Sequence, residues 1–575
     1  MRKLICSSLV LPLFVIGGAL GVQAQSGLEP LCEQHPSLCT ETVSHVDYQG
    51  KYVGHDEPSL LFYSDRPGSG GSNIYSITLP KDPPTLPVQG TRDGGTFNFQ
   101  LHPAFWFGMA MCDSESSPNF TKVCDPATDA NIFDDASPAS PKYIGKHPGA
   151  AFMELQFYPP GWIKWPIGDS CDATQWCAAV NIFSLSENPN TGQVNNRDCL
   201  INAGLEPGNF AFITKNGVPL GPPDPFNSDL STFTPNAARM LMMNSGDTLL
   251  VTLRDTPAGL SIVIVDLTTG QSGSMIAGKR NGFGQIVFDP DPDPAHPTKT
   301  CQVRPYDFRP LYSTSSEHTR VPWAAHSYNI AFSDEIGHFE HCDDVAVLGS
   351  FLGVPFGFCA APNSNDAVFP RDLRDRDDFP CFLGASSSRV AIDGCRGTDI
   401  DFDGVAYQTT WPGSLTDPGQ DRLLNPEAVR FTSPVFIELE EDNGRIIEHL
   451  RNYDRVAFEA DLPAIEFATT PACNTRTGTN CTNPPKGAEF YPFYTTAEQT
   501  VGGQCYWQLG GAHIPGTTNL FGGSSTTAYG PLLSLTYPGT LGSFSRFENF
   551  RNVLAENPCP VDVGVAGQLF TATRE

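Results

Sequence analysis

Apolar residues fall on alternate positions through most of this chain and only rarely at helical spacing, which limits the fold more than any other property of the sequence. The runs 249–253 (LLVTL) and 260–266 (LSIVIVD) are rich in β-branched residues. Between them lie Asp255, Thr256, Pro257, Ala258 and Gly259, a turn composition. Residues 59–64, 73–79, 96–110, 152–158, 209–213 and 285–288 read as further strands, with Gly68, Gly70 and Gly71 turning the chain between the first two. The 54 glycines and 51 prolines among 575 residues supply breaks between such short segments. Continuous βαβ units are missing, which argues against a doubly wound α/β fold. The expected class is mainly β: two β-sandwich or jelly-roll-like domains braced by disulfides, with few short helices.

The sharpest break is Asp289-Pro290-Asp291-Pro292-Asp293-Pro294. Proline removes backbone donors and the alternating carboxylates stay solvated, so this segment cannot continue a central strand. It reads as an acidic linker at 289–296 between a first β-sandwich domain, 25–300, and a second, Cys-rich β domain, 301–575. In the second half 327–332 and 435–439 read as strands. Phe544, Phe547, Phe550, Val553 and Leu554 recur at helical spacing before Pro558, which predicts a short C-terminal helix.

The first 24 residues read as a signal peptide: a basic start at Arg2 and Lys3, an apolar run from 4 to 21, and small residues leading to cleavage after Ala24. No later run approaches the ~20 apolar residues of a spanning helix. Export to the cell exterior or the periplasm is the expectation. Of 17 cysteines Cys6 leaves with the signal and an even number remains. None forms a Cys-x-x-Cys pair, which removes the main support for zinc-ribbon or thioredoxin-like readings. The close pairs Cys32/Cys39, Cys112/Cys124, Cys171/Cys177 and Cys473/Cys481 suit local disulfides. Asn119 and Asn480 begin glycosylation sequons.

Charge narrows the partners. With 63 acidic and 35 basic residues the formal net charge is −28, which argues against nucleic acid and anionic membrane surfaces. Phosphate-loop, His-Glu-x-x-His and Gly-x-Ser-x-Gly signatures are missing. The densest histidine segment runs from His326 to Cys342 and holds His326, Asp334, Glu335, His338, Glu340 and His341. On a helix Glu335, His338 and His341 would stack one turn apart, and with His326 could ligate a transition metal. On a strand His338 and Glu340 share one face and His341 the other, so that stack disappears; Gly337 and the β-rich surroundings favour an extended or turn conformation.

Three further groups carry chemistry. His55, Asp56 and Glu57 precede the first strand, and a histidine beside carboxylates could serve acid–base catalysis, most of all if it met His326 or His338 in the fold. Trp162 and Trp165 stand in a Pro/Gly-rich segment where flat indoles could stack on sugar rings, or could cap a core. Asp399, Asp401 and Asp403 alternate ahead of Gly404, and with the Val405 carbonyl they form an Asp-x-Asp-x-Asp-Gly loop suited to calcium. Thr410 stands where an EF-hand has its bidentate glutamate, so a calcium loop is expected without the EF-hand.

The reading these features support is a secreted carbohydrate-active or carbohydrate-binding protein with a structural calcium loop; if an enzyme, it is a hydrolase acting on polysaccharide. One alternative is a metal-dependent extracellular hydrolase or oxidase centred on His326, Glu335, His338 and His341. The other is a non-catalytic surface or matrix protein.

Overall fold

A computed structural model of the chain describes residues 59–64, 69–82, 104–116, 149–161, 170–184, 208–287, 302–311, 323–328, 429–461, 505–509, 532–537, 544–554 and 556–564, with shorter stretches between 66 and 518. The protein is mainly β, and its sheets are antiparallel. Among the described residues two large sheets form, one of 11 strands and one of 10.

In the first sheet the strand Ser59–Tyr63 lies between Arg455–Asp461 and Trp323–Tyr328; then follow Ala104–Cys112, Ala150–Tyr158, Gln175–Ser184 and Asn209–Phe212. In the second, Ser72–Thr78 lies between Thr248–Thr256 on one side and Val429–Phe431 on the other, with Gly259–Asp266 and Ser272–Ala277 beyond. The LLVTL and LSIVIVD runs pair as a hairpin from Leu249↔Asp266 to Thr256↔Gly259, as their turn composition predicts. Gly259, at φ +112, makes this turn possible; a Cβ there would sit 2.3 Å from the Ala277 carbonyl oxygen.

The two sheets share one apolar core. Alternate residues of Ala104–Cys112 (Phe105, Phe107, Met109, Met111) and Ala150–Tyr158 (Met153, Leu155, Phe157) meet Tyr75 and Ile77, Leu249, Val251 and Leu253, and Ile262 and Ile264 of the opposite layer. Aromatic rings interlock across the gap. Phe107 lies 4.9 Å from Tyr75 and 5.4 Å from Phe431, and Phe62 lies 5.7 Å from Trp507, edge to face. This is the face-to-face packing of a β-sandwich.

Two expectations are corrected. The boundary near residue 300 does not separate sheets, because each large sheet takes strands from both sides of it. The flanks of the acidic run pair with each other, Gly284↔Pro305 through Ile286↔Val303. Asn209 clamps this pair, exchanging two 2.9 Å hydrogen bonds with the Gly284 backbone. The strands on either side of the Asp-Pro run therefore pair with each other, while 289–296 itself lies outside the described residues. The C-terminal helix is instead the strand Phe544–Leu554, paired on both sides. Against Leu532–Tyr537 its register slips, with Leu533 opposite Asn549 but Leu535 opposite Arg546. The extra residue of this bulge lets a three-residue aromatic spacing sit in an extended chain. Asn549 and Asn552 are weak helix formers, and two neighbouring strands supply the hydrogen bonds a helix would have made locally.

Of the expected local disulfides Cys112–Cys124 and Cys171–Cys177 are formed, and Cys505–Cys559 joins residues 54 apart. Cys32, Cys39, Cys473 and Cys481 lie outside the described residues, as does the signal segment. Among the described residues no helix is long and apolar enough to cross a membrane.

Because Phe107 touches both layers, truncation there opens a void that neither sheet can close alone. Phe107→Ala is expected to lower unfolding free energy by about 3–5 kcal/mol in urea titration. A loss below about 1 kcal/mol would mean that the layers do not interlock at this ring.

Candidate functional site: a polar relay on the first sheet and a histidine at the sandwich end

Ala150–Tyr158 reads AAFMELQFY, and its two polar residues stand two apart in an otherwise apolar run. Strand alternation puts Glu154 and Gln156 on the side of the sheet away from the shared core, together with Tyr158. There the Tyr158 hydroxyl donates to Gln156 Oε1, and Gln156 Nε2 donates to Glu154 Oε2 at 2.7 Å. The relay runs from a buried phenol to a half-buried carboxylate.

The apolar wall beside it comes from the next strand. Trp106 is opposite Gln156 and Gly108 opposite Glu154. Trp106 packs edge to face on Phe152 at 5.3 Å. A Cβ at Gly108 would fall 2.9 Å from the Trp106 ring and 2.3 Å from the Met153 carbonyl oxygen, so glycine is what lets these rings lie over the strand. Asn181, opposite Glu154 on the following strand, is a further polar residue there and is buried.

Register continues this row across the sheet. Trp106 pairs with His326, His326 with Ser59, Ser59 with Glu459, and Glu459 with Arg551. The fold thus brings His326 opposite a residue two positions after Glu57, while His55, Asp56 and Glu57 themselves lie outside the described residues. Glu459 and Glu154 are four strand spacings apart, about 19 Å. That is too far for the paired carboxylates of a glycosidase, which sit within about 10 Å.

His341 is elsewhere. With Glu340 it forms a two-residue strand against Val390–Ala391, a sheet separate from that of His326. The backbone at Glu340–His341 is extended. Glu335, His338, Trp162, Trp165, Asp399, Asp401, Asp403 and Val405 lie outside the described residues. The loop that carries the two tryptophans begins just past Tyr158, and its ends are held by the Gly161 N–H to Asp172 carbonyl bond and by Cys171–Cys177. Among the described residues no group of three or more His, Cys, Asp or Glu could hold a metal ion.

A second polar cluster closes one end of the sandwich. His102 is fully buried, stacks on Trp176 at 5.3 Å and donates through Nε2 to Asp82 Oδ1 at 2.7 Å. Ser245 donates to the same oxygen at 2.5 Å and receives the Trp176 indole N–H. The carboxylate sits between serine and histidine, so His102 does not activate Ser245 and this is not a nucleophilic triad. His102 Nδ1 is buried with no hydrogen-bond partner. Burial holds the His102 imidazole below its ordinary range against the pull of Asp82. Burial pushes the Asp82 carboxyl up, but the hydrogen bonds from His102 and Ser245 and the charge of His102 leave it net lowered. At the start of Thr248–Thr256, burial pushes the Asp247 carboxyl up, and Asp266 beside it adds to the shift.

Asp113, fully buried at the end of Ala104–Cys112, shows a satisfied counterpart. It accepts from Ser184 and Gln285, each at 2.6 Å, Ser116 at 2.8 Å and the Glu115 N–H at 2.9 Å. Burial still leaves its carboxyl raised. Four donors from three segments make it a structural anchor for the loop after Cys112.

No family model matches this chain, and neither does any curated protein or solved structure. Sequence reasoning missed the relay and the histidine cluster alike. The Glu-x-Gln interruption of an apolar strand was the available signal for the relay; His102 stands alone in sequence, and its partners come from distant segments.

Because the folded imidazole of His102 takes a proton less readily than the unfolded one, near 6.5, the unfolded chain gains the proton first on acidification. The stability contributed by neutral His102 is complete above that value and declines as pH falls through and below it. The urea midpoint of wild type is expected to drop between about pH 7.5 and pH 5 by more than that of His102→Gln. Equal slopes in the two proteins would show that His102 titrates normally.

Proposed function

We propose that this is an exported, disulfide-braced β-sandwich protein that binds glycan along the outer face of its first sheet. The observation that carries the reading is the Tyr158–Gln156–Glu154 relay, which ends in the half-buried Glu154 carboxylate. Sugar recognition needs fixed hydrogen-bonding groups beside aromatic surface, since a pyranose presents hydroxyls at its rim and C–H groups on its faces. Gln156 is committed at both ends, so the half-buried Glu154 carboxylate is oriented before a ligand arrives, and it accepts from sugar hydroxyls. The Trp162 and Trp165 loop, rooted beside Tyr158, supplies the stacking surface in this reading. Export is supported by three disulfides and by the signal-like start of the sequence.

Glu154→Gln keeps the shape and removes the charge. Affinity electrophoresis over a panel of glycans is expected to retard the wild type, with Glu154→Gln about tenfold weaker and melting within about 2 °C of it, as a lost charge-assisted hydrogen bond implies. Wild type retarded by no glycan, or a variant retarded equally, would remove the reading.

The loop Asp399–Val405 is proposed as a structural calcium site, because three carboxylates crowded ahead of Gly404 repel one another without a cation. Protein stripped of metal should gain about 2.7 kcal/mol of stability at a hundredfold excess of calcium over its dissociation constant, and Asp401→Ala should lose the response. Identical melting with calcium and with chelator excludes the site.

A further inference from the structure

The dipeptide Asn-Gly occurs three times in this chain, at Asn216, Asn281 and Asn443. In it the asparagine side-chain carbonyl carbon can be reached by the backbone nitrogen of the following glycine, which has no Cβ to crowd the approach. The fold sorts the three by what holds the amide and what holds that nitrogen.

Asn281 is half-buried, and its Nδ2 donates to the Ile276 carbonyl at 3.0 Å and the Gly217 carbonyl at 3.2 Å. The Gly282 N–H donates to the Lys279 carbonyl at 3.2 Å, and a Cβ on Gly282 would lie 3.1 Å from Pro223. Asn216 is exposed but engaged. Its Oδ1 accepts from the Val218 N–H at 3.1 Å, and the Gly217 N–H donates to the Thr214 carbonyl at 3.4 Å.

Asn443 and Gly444 differ on every count. They form the turn of the hairpin Val435–Asp442/Arg445–Asn452, at φ 50 and φ 76, and both are exposed. Among the described residues Asn443 is the one non-glycine residue at positive φ. Its Nδ2 donates to Asp442 Oδ1 at 2.8 Å, on an equally exposed neighbour, and a Cβ on Gly444 would meet nothing within 4 Å. Asp442↔Arg445, the last pair of the ladder, closes the turn. The hairpin is packed at its other end, where Val435 and Ile437 join Ile74, Leu250 and Val561, and Asn452 exchanges two hydrogen bonds with the Val561 backbone. Towards the tip Leu439 is 61 % exposed and Ile446 71 %. A ladder fixed at its root and unpacked at its tip opens first at the tip.

We infer that Asn443 is a site of spontaneous modification, converting through a cyclic imide to aspartate and isoaspartate while Asn216 and Asn281 persist. When the turn opens, the Gly444 backbone nitrogen bonds to Asn443 Cγ, the Cγ–Nδ2 bond breaks, and the proton from the nitrogen leaves with ammonia. Solvent water then opens the ring, its hydroxyl going to a ring carbonyl carbon and its other proton to the released nitrogen. Attack at Cγ gives aspartate; attack at the backbone carbonyl carbon gives isoaspartate, with the side-chain methylene now in the main chain. Either product replaces a neutral amide by a carboxylate beside Glu441 and Asp442. Isoaspartate also lengthens a two-residue turn by one backbone atom, so the geometry that pairs Asp442 with Arg445 is lost. The tip is released and the root stays.

The test is peptide mapping by mass spectrometry of the full chain, held folded in mildly alkaline, isotopically labelled water beside a sample unfolded in guanidinium chloride. Folded, Asn443 should be lost about tenfold faster than Asn216 or Asn281, with label and isoaspartate in the product. Unfolded, the three should react at similar rates. In the modified protein amide exchange should quicken at 442–447 and stay unchanged at 450–452. Gly444→Ala should slow the loss about tenfold, because a methyl crowds the attacking nitrogen even as it strains the turn at φ 76. Equal rates at the three sites in the folded protein, or the folded ranking repeated in the unfolded one, would overturn the proposal. So would a product free of isoaspartate, unchanged exchange at 442–447, or a faster reaction in Gly444→Ala.

Discussion

Phe107 is where the molecule is tied together. Its ring meets Phe105 and Phe157 of its own layer and Tyr75 and Phe431 of the other. The strands that carry Tyr75 and Phe431 pair with each other although some 350 positions apart, Ile77↔Phe431. Likewise Ser59–Tyr63 forms its ladder with Arg455–Asp461. Early strands thus lie in the interior of both sheets, flanked by strands from the far end of the chain. Neither sheet is complete until almost all the chain is present, and the loop-closure entropy must be met before the core rewards it, which makes folding slow.

In such a core a polar group without a partner carries a desolvation cost. Asp113 has four donors, and the buried Tyr453 hydroxyl reaches both Asn73 and the Ser69 carbonyl. Burial pushes the Tyr453 phenol well above its ordinary range, so it stays a neutral donor. At the sandwich end the pattern changes. His102 gives one nitrogen to Asp82 and leaves the other without a partner, at a desolvation cost of about 1–3 kcal/mol. The relay on the first sheet differs again: it is satisfied inside and ends in a carboxylate that solvent reaches. A satisfied buried network fixes one geometry, so Glu154 is aimed by the fold and not by a ligand.

Much of the architecture was legible because strand alternation is local. LLVTL and LSIVIVD declare their inward faces within a few residues, and Asp255 to Gly259 declares the turn. The helix expected at 544–554 failed for the complementary reason: a bulge is a property of two strands, and the partner that creates this one cannot be read from Phe544, Phe547 and Phe550. The same holds for the boundary at 289–296. Proline argues against a ladder through the segment, but whether the flanks separate or pair depends on Gly284 and Pro305 meeting. Site residues were harder still. His102, Asp82 and Ser245 belong to three segments, and none is unusual until the sheets stack.

The relay and the hairpin Val435–Asp442/Arg445–Asn452 stand on different sheets, with the shared core between those sheets. Between them lie packed rings such as Phe107 and Tyr75, 4.9 Å apart. Groups this well separated, sharing no partners, contribute additively. A net charge of −28 repels like charge and is indifferent to a neutral ligand.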